Sequence, residues 1–174
     1  MTDFISEENR TAHAEYYGRM LARISVYERE YPELSGKPLS DIMRLCRRLR
    51  GADEISELYA DAHLHRVFFG SYSGEGYQPS HAARELFGSE AAMRDKIFKE
   101  AMRLPYGFVA VVRNSRGAEV IGSESGKKIL SAGEPLLALD VCEHAYYGDW
   151  GFNKEGYLRA ALFFMRLTSL DGIL

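Results

Sequence analysis

Through roughly the first hundred positions, hydrophobic residues recur at intervals of three and four; beyond them they recur in short runs. Ser6 followed by Glu7 and Glu8 reads as a helix start, a side-chain cap with acids in the first turn. His13, Tyr17, Met20, Leu21 and Ile24 then share one face at helical spacing. The stretch from Tyr31-Pro32 to Lys37-Pro38 breaks that helix. A second helix is predicted from Leu39 to Arg50, with Leu39, Ile42, Met43, Cys46 and Leu49 on its apolar face and Gly51 at its end. A third runs from Ile55 to Phe69 and closes at Gly70. Gly74 to Pro79 reads as a loop. Ser80 to Phe87 and Glu90 to Arg103 follow as two more helices, the second capped by Ser89.

The pattern changes after Pro105. Phe108 to Val112 is rich in β-branched and aromatic residues, Asn114-Ser115-Arg116-Gly117 is a turn, and Glu119 to Ser123 returns as a second strand. Pro135 to Val141 reads as a third strand, and Asn153 as the cap of a last helix through Leu170. Helices first, then a small antiparallel sheet, then a helix is an α+β order. The expected division is an N-terminal helical hairpin domain over residues 1–76 and a C-terminal α+β domain over 77–174, parted in the Gly74 to Pro79 loop.

Composition narrows the function only by exclusion. Lys plus Arg and Asp plus Glu nearly balance, at 22 against 25, so nothing global points to nucleic acid or a membrane surface. No apolar run approaches the ~20 residues of a membrane span. The acidic start lacks the basic and apolar regions of a signal peptide. Cys46 and Cys142 are far apart and form no Cys-x-x-Cys, so a reducing, cytoplasmic setting is expected. Arg44, Arg47, Arg48 and Arg50 form a basic cluster on the second helix. Without aromatic interleaving it reads as a solvated face paired with nearby acids, not as a nucleic-acid site.

The candidate chemistry lies in Asp140-Val141-Cys142-Glu143-His144-Ala145-Tyr146-Tyr147. The apolar run before Asp140 puts that carboxylate near a strand end, with His144 in the turn or short helix beyond. A carboxylate oxygen and a ring nitrogen held this way suit iron, manganese or zinc. Asp-x-x-x-His alone reads as a turn cap and a packed core histidine; the flanking run favours metal.

That run, with Pro135-Leu136-Leu137 before it and Asp149 and Gly156-Tyr157-Leu158 after it, resembles the C-terminal signature of the iron/manganese superoxide dismutase family. Further matching patches extend from about residue 10 to about residue 165. They are the spacing from His13 to Gly36-Lys37-Pro38-Leu39, the run His65-Arg66-Val67-Phe68-Phe69, Phe87-Gly88-Ser89, and Asn114-Ser115 with Gly117. The resemblance implies one Fe or Mn ion per subunit between the two domains, held by His13, His65, Asp140 and His144. It also implies ping-pong dismutation of superoxide to dioxygen and hydrogen peroxide. A same-fold protein that binds metal for another small oxidant, or for storage or sensing, is the alternative. Two assignments stay open: Glu15-Tyr16-Tyr17-Gly18 can be aligned to put Tyr16 in the first ligand's place, and His63 can replace His65. A single residue separates the latter two, so both cannot reach one ion. His81, at a helix start, reads as surface.

Around the implied ligands the sequence departs from the family. The glutamine that the family sets against the solvent on its metal is replaced by Asp61 at one position and by Ser125 or Gly126 at the other; the chain's one glutamine, Gln78, lies in the central loop. Tyr17 and Leu21 stand where a histidine and a tyrosine line the family's substrate channel, so Tyr17 is either the channel phenol or a core tyrosine. Phe108 and Cys142 replace tryptophans. Cys142 reads as a small buried apolar residue. Glu143 and Tyr147 match residues that cross the family's dimer interface, which implies a homodimer.

Overall fold

The computed structural model describes residues 4–72 and 79–173. Helices come first: α1 (Glu7–Glu30), α2 (Leu39–Cys46) and α3 (Ala52–Gly70), with a 3-10 turn at Pro32–Leu34. Helices α4 (His81–Phe87) and α5 (Glu90–Arg103) lead into strands β1 (Phe108–Asn114) and β2 (Gly117–Ser123). Then come α6 (Gly126–Ala132), β3 (Glu134–Asp140), a 3-10 turn at Glu143–Ala145, α7 (Tyr147–Trp150), α8 (Lys154–Phe164) and a closing 3-10 segment at Leu167–Ile173. The three strands form one antiparallel sheet in the order β2-β1-β3, so the fold is α+β with helices leading. Among the described residues, no helix is long and apolar enough to cross a membrane.

The caps foreseen at Ser6, Ser89 and Asn153 form, and Ser80, expected as the first residue of its helix, caps α4; each side chain accepts from the backbone N–H three residues on. Other boundaries move. Helix α2 stops at Cys46, not Arg50, and α3 starts at Ala52, where Gly51 takes a left-handed φ of +76° at its N-cap. Helix α6, which the sequence pattern did not predict, fills the link between β2 and β3. Helix α8 ends at Phe164, because the chain leaves it in extended form at Met165, which bridges to Tyr72. Leu21 is 42% exposed and does not join the inner face of α1. Eight residues at 3.6 per turn carry it about 80° round from His13, to the margin of the stripe. The expected domain boundary and Gln78 lie outside the described residues.

Helix α3 is the spine. Its first half packs with Ile24, Leu34, Ile42 and Cys46 into a helical core; Leu64 and Phe68 from its second half enter the core built on the sheet. Phe108 to Val112 of β1 are all buried, flanked by strands on both edges. The sheet's Asp140 end is packed tightly. A Cβ on Gly107 would sit 2.3 Å from the Ser123 carbonyl oxygen, and this residue has φ +101°. Only glycine fits there. Through it the Gly107 carbonyl accepts from Val141 N–H at 3.0 Å, tying the chain just beyond Asp140 to the start of β1.

At the far end of the chain, one Asp171 Oδ1 accepts from the Ser80 hydroxyl at 2.6 Å and from Ala82 N–H at 3.1 Å, pinning the last segment to the start of α4. The Ser80 hydrogen bond, then the Ala82 one, holds the Asp171 carboxyl below the usual range. A depressed folded-state pKa stabilises the fold above the unfolded value and loses that contribution as pH falls through the folded one. The stability gap between wild type and Asp171→Asn is expected to be present at pH 7 and to close toward pH 3, measured by urea unfolding at each pH; a gap that widens on acidification contradicts this reading.

Candidate metal centre

Four elements deliver four side chains to one point. His13 comes from α1, His65 from α3, Asp140 from the last residue of β3, and His144 from the 3-10 turn after it. Their candidate donor atoms all lie within 4.8 Å of one another. The Asp140 Oδ2 oxygen is the focus: His144 Nε2 is 2.9 Å away, His13 Nε2 3.2 Å and His65 Nε2 3.4 Å. The Nε2 atoms of His65 and His144 are 3.4 Å apart. Donors bound to one ion at about 2.1 Å would stand roughly 3 to 3.6 Å from their neighbours, which is the spacing seen.

Each donor is aimed from behind. The His65 Nδ1–H donates to the Asp61 carbonyl at 2.8 Å, an acceptor-only partner that leaves Nε2 as a lone pair facing the centre. Asp140 Oδ1 is taken by Cys142 N–H at 2.8 Å, which turns Oδ2 to the histidines. The buried Tyr157 hydroxyl donates to the Asp140 carbonyl at 2.8 Å. Helix α1 is locked to the turn that carries His144 by Asn9 Nδ2, which donates to the Ala145 carbonyl at 3.2 Å. Ser6 N–H to Asp149 and Trp150 Nε1–H to the Phe4 carbonyl close the same seam.

The electrostatics favour a cation. Burial alone would raise the Asp140 carboxyl; the ring nitrogens of His13 and His144 that face it reverse this and hold it well below the usual range. Burial pushes the His65 imidazole down, toward the neutral form a metal needs. His13 is wholly buried, yet among the described residues neither ring nitrogen makes an aligned hydrogen bond. A buried Nε2 aimed at a carboxylate 3.2 Å away without an aligned hydrogen bond is costly unless a cation sits between them. The donor set therefore fits iron, manganese or zinc.

Residues 77–168, just over half the chain, match the model of iron/manganese superoxide dismutases, C-terminal domain. The chain belongs to the iron/manganese superoxide dismutase family. It is 25% identical over 158 residues to superoxide dismutase [Mn] of Thermus aquaticus, covering 85% of this chain and 78% of that one. Superoxide dismutase [Fe] of Escherichia coli K12 is 35% identical over 92 residues, 52% of this chain and 39% of its own. Chloroplastic superoxide dismutase [Fe] 1 of Arabidopsis thaliana is 26% identical over 148 residues, 81% and 69% respectively.

The surroundings of this family member's centre are aromatic. The His13 ring lies 4.9 Å from Phe68 and 5.0 Å from Phe69, and Phe108 meets His65 edge-on at 5.0 Å. Tyr17 stacks on His65 at 6.0 Å. The Tyr16 ring stacks on His144 at 4.1 Å. His63 turns away to Arg66, and His81 is exposed near Glu85. The Cys142 sulfur accepts from Gly107 N–H, and burial pushes its thiol up. Asp61 packs its carboxylate over Gly126, where an added Cβ would come within 2.6 Å. Burial first, then Glu57 and Asp140, push Asp61 to about 7. The Ser125 hydroxyl donates to Glu57 at 2.9 Å. Glu143 and Tyr147 are exposed.

Sequence reading missed the supports at Asn9, Glu57 and Tyr157. Asn9 had a signal: a polar residue one turn before His13 on the buried face. Replacing Tyr157 by Phe leaves the Asp140 carbonyl unanswered in a dry site and is expected to cost about 1 to 2 kcal/mol of stability. Thermal unfolding of the metal-free protein measures this, and an unchanged midpoint contradicts it.

Proposed function

We propose that this protein holds one iron or manganese ion per subunit on His13, His65, Asp140 and His144, and there dismutates superoxide to dioxygen and hydrogen peroxide. The observation that carries the proposal is the meeting of three imidazole nitrogens on one oxygen of a fully buried carboxylate. Iron or manganese, when bound, supplies reversible one-electron transfer with superoxide. Two superoxide anions and two protons give one dioxygen and one hydrogen peroxide. The chain must therefore admit a small anion, supply protons and keep the buried charge low.

Asp140 meets the last need, since its carboxylate removes one unit of positive charge from a centre out of water. Admission falls to the His144 side, where that side chain is 28% exposed while His13 and Asp140 are sealed. The Tyr16 phenol lies at this opening. Burial first, then Cys142, Asp140 and Asp61, push it up, so it stays protonated at neutral pH and can donate a hydrogen bond to an entering anion. Tyr17, packed between His65 and Phe69, lines the wall behind. Asp61 stands at one place of the family's glutamine and can hold a proton near neutral pH. The two free cysteines support a reducing, cytoplasmic setting.

One observation favours the reading in which metal is kept without dismutation. The Ser125 hydroxyl is spent on Glu57, so it is not free to replace the family's amide donor. Elemental analysis with superoxide assays on iron-loaded and manganese-loaded protein separates the two. Stoichiometric metal with activity in one form is expected, and metal without activity in either selects the alternative. His144→Ala is expected to lose stoichiometric metal, and full retention in that variant rules out the centre as drawn.

The homodimer implied by Glu143 and Tyr147 has support in the surface beside them, where Phe152 is 87% exposed and packs edge-on against Tyr147. Sedimentation velocity is expected to give a dimer, and Phe152→Asp a monomer; a monomeric wild type refutes the assignment.

A further inference from the structure

A second cavity lies on the opposite side of α3 from the candidate metal centre. His63 and His65 are two residues apart, about 200° round the helix, so one borders this cavity while the other faces the centre. It is an open groove of about 1160 Å³, large enough for one organic ligand. Helices α2 and α6 lean on α3 from two sides and leave the gap between them. Leu39 and Met43 of α2, Leu130 of α6 and Pro135 of β3 form its apolar walls.

Its charges do not cancel. Asp53 and Glu134 border the groove, but each is already matched: Asp53 by Lys127 at 3.0 Å, and Glu134 by Arg113. Lys127 is shared with Glu57 at 3.7 Å. Arg47 and Lys128 also border it, on opposite walls, and among the described residues neither has an acidic partner. The basic cluster at the end of α2 and just beyond it is thus paired only in part: Arg44 reaches Asp41, and Arg47 faces the groove. His63 adds a donor: its Nδ1 faces the Arg66 guanidinium at 3.2 Å, so its proton sits on Nε2.

We propose that this groove binds a small amphipathic organic anion, its acidic head between Arg47 and Lys128 and its apolar body on Leu39, Met43, Leu130 and Pro135. Uncompensated positive charge at the rim of an apolar trough selects that class: a neutral apolar molecule leaves the cations unused, and an inorganic anion leaves the trough wet.

The test is a fluorescence titration of the whole protein with 8-anilino-1-naphthalenesulfonate, followed by displacement with decanoate and with decanol. Saturable binding displaced by decanoate and not by decanol is expected. Arg47→Glu and Lys128→Glu are each expected to weaken it about tenfold, with Arg48→Glu, outside the groove, unchanged. Both altered side chains are exposed, and circular dichroism checks that the variants fold. Salt titration of the wild type gives an independent reading, in which affinity falls as ionic strength rises. No saturable binding at millimolar probe, equal displacement by decanol, affinity indifferent to salt, or unchanged affinity in both groove variants overturns the proposal.

Discussion

A carboxylate carried wholly out of water must be answered by positive charge or take up a proton. Asp140 is that carboxylate, and the architecture around it is the answer. Its strand ends where the sheet meets α3, its own backbone N–H neighbour at Cys142 claims one oxygen, and histidines from α1, α3 and the following turn gather on the other. The seam of Ser6, Asn9 and Trp150 has meaning in this light. It presses the start of α1 onto the turn that holds His144, so His13 and His144 arrive together.

Much of this was legible in the chain. Asp140 and His144 announce themselves because a strand run ends on one and the other follows within a turn. His13 and His65 are visible as imidazoles on helices whose spacing resembles a known family. What escaped depends on tertiary contact. Helix α6 has only seven residues, begins with Gly126, and is too short for periodicity to register; its start is fixed from afar by Glu57, which takes the Ser125 hydroxyl. Helix α2 ends early because the backbone tightens there into three-residue turns, Arg48 N–H to the Leu45 carbonyl and Leu49 N–H to the Cys46 carbonyl, which residue pattern does not register. Tyr16 looked like a rival donor in alignment and became a ring stacked on His144, since the turn after β3 comes up against its flank of α1.

Helix α3 unites these observations. One half is built into the helical core and the other into the sheet core, so a displacement of either reaches His65. Along one row it presents Asp53, Glu57, Asp61 and His65, four residues apart, passing from the surface to the centre. The first three face α6, which explains why Gly126 must be small and why Lys127 lies among acids.

The donors are drawn from residue 13 to residue 144, and only the completed fold brings them within reach of one another. On the proposed reading, a cation is therefore a partner of the native state and not of the unfolded chain. Its free concentration enters the folding equilibrium by mass action, as RT ln(1 + [L]/Kd). Supply of the ion then sets how long the polypeptide lasts as well as whether it can turn over.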